Sequence, residues 1–250
     1  MQFDILTLFP AFFHGPLYES ILRRAWERGI LSFRVIDIRD FTEDRHREAD
    51  DYPYGGGGGM VMKPEPLSRA IKAMKDLKPA TRIIYLTPQG PPLDQEKALE
   101  LSRLERTTLI CGHYEGIDER VREKYVDEEI SIGDYVLTGG EPAAIVLIDS
   151  VARMIPGVLG NEASFQNDSF YTGLLDFPHY TRPEEFEGLK VPEVLLSGHH
   201  EKIRNWRRKK ALERTAAIRP DLLKRAPLTE EERALFPEKD GSTPGIPGDN

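Results

Sequence analysis

Five short apolar runs constrain this chain more than any other feature: FDILTLF at 3–9, SFRVIDI at 32–38, TRIIYL at 81–86, TTLIC at 107–111 and EEISI at 128–132. Helix-like stretches fall between and after them. Leu17–Arg28 carries apolar residues at 17, 21, 22, 25 and 26 with Gly29 behind it, a helical period ended by a glycine stop. Residues 66–77, 94–105, 117–125 and 141–155 read as further helices, the last one long and apolar. Strands that alternate with helices predict an α/β domain with a mainly parallel sheet flanked by helices. The long 40–59 segment, charged and then glycine-rich, reads as a functional loop.

The texture changes near Pro156. Residues 156–169 are small, polar and without period, as in an inter-domain linker. Beyond Glu184 the pattern is helical without strand alternation, at 201–214, 220–225 and 229–236. At roughly 150 residues per domain, a chain of 250 residues accommodates one large domain, 1–155, and a smaller helical one, 170–240. Residues 241–250 (GSTPGIPGDN) read as a disordered tail.

Composition excludes several classes. No apolar run approaches the ~18 residues of a membrane span. The N-terminal stretch lacks a basic leader, and Asp4 interrupts its apolar run, so a signal peptide is not expected. The single cysteine, Cys111, rules out an internal disulfide framework and any multi-thiolate zinc site. A cytoplasmic protein is expected. The net charge of −8 conceals a basic stripe, because residues 199–226 hold ten Lys/Arg against three Asp/Glu. Such a stripe is either a phosphate footprint or a solvated helix face.

Three loops follow predicted strands: TPQG at 87–90, GHYEG at 112–116 and SIGDYVLTGGEPA at 131–143. Loops leaving the carboxyl ends of parallel strands line ligand crevices. Glycines permit close backbone approach, and with Ile132, Val136 and Leu137 the loops suit a neutral or cationic adenosine-type ligand. The alternative is that the glycines merely make turns. GGGGGM at 55–60 lacks the Gly-Lys-Ser/Thr ending of a phosphate loop, and no G-x-G-x-x-G follows the first strand. The five glycines at 55–59 read as a close approach to a large ligand or as a hinge. The six histidines lack metal-ligand spacing, no G-x-S-x-G elbow occurs, and Cys111 reads as a core thiol.

Together YLTPQG, GHYEG, SIGDYVLTGGEPA, NDSF at 167–170 and PHYTRP at 178–183 resemble the bacterial tRNA (guanine-N1-)-methyltransferases of the SPOUT class, in order from FDILTLFP to the WRR at 206–208. The resemblance implies a trefoil-knotted fold, S-adenosylmethionine as methyl donor, and the guanosine at position 37 of tRNA as substrate. It also implies an obligate homodimer with a shared active site, and it suggests magnesium as an assisting ion. Where many members carry arginine in the glycine-rich loop, this chain has His113.

Methylation at guanine N1 requires a base for the N1 proton and profits from a cation near O6. The resemblance assigns the base to Asp168, which otherwise reads as a helix N-cap. Arg153 is the candidate at O6, its alternative being a helix C-terminal charge. Glu115 is placed to orient the methionine moiety or the arginine, or it is an exposed loop acid. The adenosine is expected on Leu86, Thr87, Pro88, Gln89, Gly112, Tyr114, Glu115, Ser131, Ile132, Gly133, Asp134, Tyr135, Val136, Leu137, Gly139, Gly140 and Pro142. The basic segment, with Lys202, Arg204, Arg207, Arg208, Lys209 and Lys210, is expected on the anticodon stem, and Trp206 either stacks or packs. Three other readings remain open: a knotted methyltransferase acting on ribosomal RNA or a ribose, a catalytically silent RNA-binding dimer, and an unrelated nucleotide-binding α/β enzyme.

Overall fold

Alternation along each strand decides the architecture. In the computed structural model, which describes residues 1–160 and 168–236, the chain falls into two units, 1–162 and 163–250. The first unit runs β1 (Gln2–Thr7), α1 (Ser20–Glu27), β2 (Ser32–Asp37), β3 (Asp50–Asp51), β4 (Val61–Met62), α2 (Pro64–Lys75), β5 (Arg82–Leu86), α3 (Gln95–Leu101), β6 (Arg106–Cys111), α4 (Glu119–Tyr125), β7 (Glu128–Ile130) and α5 (Glu141–Ala152). Five strands form one sheet in the order β2-β1-β6-β5-β7, with every pairing parallel. The small β3–β4 pair is antiparallel; β3 lies within the 40–59 stretch read as loop and β4 just beyond it.

Successive side chains of a strand point to opposite faces, and the core divides accordingly. Phe3, Ile5, Ile84, Leu86, Leu109 and Cys111 pack with apolar residues of α1, α3 and α5. Leu6, Ile83, Tyr85 and Ile110 pack with those of α2 and α4. A sheet buried on both faces explains why its strands read as continuous apolar runs. Cys111 is fully buried, and burial pushes its thiol well above the usual range, as befits a core side chain.

Capping side chains set the starts of α3 and α4. Asp94 accepts from the Lys97 backbone N–H at 2.8 Å, so α3 begins at Gln95. Asp118 does the same for α4, accepting from the Arg120 N–H at 2.9 Å. Each side chain satisfies a donor that the first turn leaves unpaired.

The second unit contains β8 (Glu185–Phe186), β9 (Leu189–Lys190), α6 (Glu193–Leu196), α7 (His200–Ile218), α8 (Pro220–Leu223) and α9 (Glu230–Leu235). Its small core joins Leu174, Ala211, Leu212 and Ala226. The β8–β9 hairpin departs from the strand-free expectation. Its two-residue turn, Glu187-Gly188, has φ of 51° and 82°, the double positive φ of a type I′ turn. Two-residue strands are too short for alternation to register. The tail at 241–250 and half of the 156–169 linker, residues 161–167, lie outside the described residues. No helix among the described residues is long and apolar enough to cross a membrane.

Candidate active site

The three glycine-containing loops are hydrogen-bonded to one another. Leu93 N–H donates to Ser131 O at 2.7 Å and Ser131 N–H to Pro91 O at 2.9 Å, tying the loop after β5 to the loop after β7. Gly140 N–H donates to Gly112 O at 2.9 Å, tying the loop after β7 to that after β6. This contact requires glycine: a Cβ on Gly140 would lie 2.7 Å from the Cys111 Cα.

Between the loops lies a cavity of about 340 Å³, within the range of small-ligand clefts. Of the residues named for the adenosine, Leu86 to Gln89, Gly112, Tyr114, Glu115, Ser131 to Gly133, Tyr135 to Leu137, Gly139 and Gly140 line it. Asp134 and Pro142 stand outside its lining: Asp134 is exposed, and Pro142 sits in the first turn of α5. Tyr85, His113, Gly116, Ile117, Glu119, Arg122, Ile130, Thr138 and Ala143 complete the wall. Tyr85 was hidden in a strand run; burial pushes its phenol above the usual value.

Electrostatically the wall is acidic. Arg122 pairs with Glu119, its Nε 2.7 Å from Oε2, and with Glu129 at 3.1 Å. Glu115 adds a further carboxylate. The glycine run at 55–59 reaches this acid: a Cβ on Gly59 would stand 2.4 Å from Glu115 Oε1, and Glu115 N–H donates to Met60 O at 2.9 Å. Among the described residues no group of three or more His, Cys, Asp or Glu is placed to hold a metal ion.

The other expected site residues lie elsewhere. Arg153 caps the far end of α5, about 18 Å along the axis from Glu141 at 1.5 Å per residue, and it is absent from the cavity wall. In the second unit, Asp168 lines a cavity with Arg204, Arg207 and Arg208. It caps no helix. The α7 cations divide into two sets. Arg208 is held by Glu232, Nε to Oε1 at 2.7 Å, and Lys209 and Lys210 face Glu213 at 3.9 and 2.7 Å. Lys202, Arg204 and Arg207 are exposed and form no ion pair among the described residues. Trp206 is half-buried, its ring centroid 6.3 Å from that of Tyr180.

Comparison with known proteins gives one answer over almost the whole chain. A family model described as tRNA (Guanine-1)-methyltransferase TrmD matches residues 1–225. Proteins named tRNA (guanine-N(1)-)-methyltransferase are similar to it throughout. The one from Geotalea uraniireducens is 58% identical over 238 residues, 95% of this chain and 96% of that protein. The one from Geobacter sulfurreducens is 59% identical over 233 residues, 93% and 95%. The one from Halalkalibacterium halodurans is 55% identical over 237 residues, 94% and 96%. A match of this extent, laid over a cavity built from the three quoted loops, places the chain in the tRNA (guanine-1)-methyltransferase family.

Proposed function

We propose that this protein transfers a methyl group from S-adenosylmethionine to N1 of the guanosine at position 37 of tRNA, 3′ of the anticodon. The observation that carries the reading is the convergence of 85–90, 112–116 and 131–143 on one cavity in a chain of this family.

The cavity suits the methyl donor on chemical grounds. Main-chain groups of Leu86 to Gln89 and Ile132 to Leu137 offer an adenine edge both donors and acceptors. Glu115 favours a ligand carrying ammonium and sulfonium charges. When bound, that donor supplies an electrophilic methyl group. Asp168 accepts the N1 proton, so that the ring nitrogen attacks with a full lone pair. Arg153 offsets negative charge growing on O6, and Glu115 holds the donor's amino-acid end. The target guanine leaves its stack to reach the methyl, while exposed Lys202, Arg204 and Arg207 hold phosphates.

A homodimer with a shared site belongs to the same proposal. Arg153 and the cavity stand at opposite ends of α5, so an arginine acting on the bound guanine is supplied most directly by another protomer. The bonding of the 131–140 segment to both neighbouring loops supports the trefoil-knotted path. The test is nucleoside analysis of an unmodified tRNA transcript incubated with the protein and labelled methyl donor. Labelled 1-methylguanosine is expected, and its absence overturns the proposal.

A further inference from the structure

The second unit holds a cavity of about 390 Å³ between the 177–184 segment, α6 and α7. It is separate from the small core of that unit, which joins Leu174, Ala211, Leu212 and Ala226. Four aromatic rings line it beside the aliphatic Pro178, Val191, Leu195, Leu196 and Ile203. Tyr180 and Trp206 face each other at 6.3 Å and 57°, and the Phe177 and His179 rings lie 4.7 Å apart. The Arg207 guanidinium sits 4.9 Å over the Phe177 ring. Arg182 and Arg207 line the cavity against a single carboxylate, Glu184.

We propose that this cavity takes one unstacked nucleobase of the bound RNA, with Trp206 and Tyr180 as the stacking surface and Arg207 at the adjoining phosphate. The inference rests on the tRNA-binding reading above and adds a second base-binding site to it.

The argument is one of matched chemistry. Tyr180 is 49% exposed and Trp206 half-buried, so both keep ring surface that the unit's own packing has not used. A nucleotide presents a flat π-face and a negative phosphate together. Single-stranded RNA is bound by aromatic side chains and guanidinium planes for that reason. An apolar peptide would fill the rings but leave two arginines unmatched, and an acidic one would leave the rings bare. Exposed cations continue along the same helix at Lys202 and Arg204, which gives the backbone a track into the cavity.

The chain has two tryptophans, so Trp26→Phe leaves Trp206 as the one indole fluorophore. In that background, an anticodon stem-loop RNA should quench Trp206 emission. Tyr180→Ala should weaken RNA binding by about five- to 150-fold, the range that aromatic–base stacking carries. It should leave the slope of log affinity against log salt unchanged, because no phosphate contact is lost. Abasic substitutions scanned through the loop should locate one position whose loss matches that of Tyr180→Ala and adds nothing to it. Trp206→Phe, which keeps a ring, should retain most of the affinity. Salt-dependent RNA binding with unquenched Trp206, unaltered affinity in Tyr180→Ala and no coupled abasic position overturns the pocket and leaves the RNA-binding reading standing. Absence of RNA binding by the unsubstituted protein overturns both.

Discussion

His113 and Glu141 close the glycine-rich loop from opposite sides, Nε2 to Oε2 at 2.8 Å, with the carboxylate 3% exposed. The second carboxylate oxygen accepts from the Thr7 hydroxyl at 2.6 Å, and that hydroxyl accepts from the Phe9 N–H at 2.9 Å. The Phe9 ring lies 4.5 Å from the imidazole. The chain of contacts fastens the loop after β6 to the end of β1 and the start of α5. His113 thus serves as a hydrogen-bonding partner for a buried acid. His113→Ala should cost about 1–3 kcal/mol, the desolvation penalty of an acceptor left unsatisfied, read as a lower urea midpoint. His113→Arg should recover most of it. Equal stability of all three proteins would mean that the contact carries no weight.

Asp168→Ala should lower the methyl-transfer rate by at least about a hundredfold, the contribution of a positioned base. Methyl-donor affinity should stay within a few-fold by calorimetry. If donor binding falls in parallel, Asp168 is structural.

Shared sites give a mixing test. Asp168→Ala and Glu115→Ala proteins, each of low activity, should regain activity when refolded together. One hybrid site then combines an intact cavity with an intact Asp168 from the other protomer. No gain on mixing places both groups within one chain.

Arg207→Ala should reduce the slope of log affinity against log salt by about one unit, because its exposed guanidinium forms no ion pair among the described residues. Arg208→Ala should act chiefly on stability, since Arg208 is bonded to Glu232. The guanidinium holds the Glu232 carboxyl below its usual value of 4.5. The pair's contribution is therefore complete above that value and is lost as pH falls through the lowered one. Thermal melts against pH should diverge between wild type and Arg208→Ala above that range and converge below it.

Asp4, fully buried, accepts from Arg106 Nε at 2.6 Å and from Arg34 Nε at 2.9 Å. Asp4→Ala strands the buried Arg106 guanidinium and should cost about 3–5 kcal/mol in denaturant unfolding. A change under 1 kcal/mol would show that the arginine relaxes to water.

Asp4 also marks where sequence reading stops. In the run FDILTLF it looked like an interruption, because its partner stands 102 residues away. The quoted motifs located the cavity, yet His113, Tyr85 and Arg122 were missed as wall residues. Two of them carried no signal outside their own strand or helix, and His113 was visible only as a departure from the family. The glycines at 55–59 read equally as a close approach to a ligand or as a hinge, and the fold sets Gly59 against Glu115.

The amino-acid order alone determined the alternation of strands and helices, the buried character of the sheet, the three site loops and the basic stripe. These follow from residue periods and backbone freedom, which act over a few neighbours. Tertiary structure decided the strand order β2-β1-β6-β5-β7, which α7 cations are neutralised, and the position of Arg153 at the far end of α5 from the cavity. Those depend on contacts between residues distant in the chain, and no local period encodes which partners long-range packing brings together.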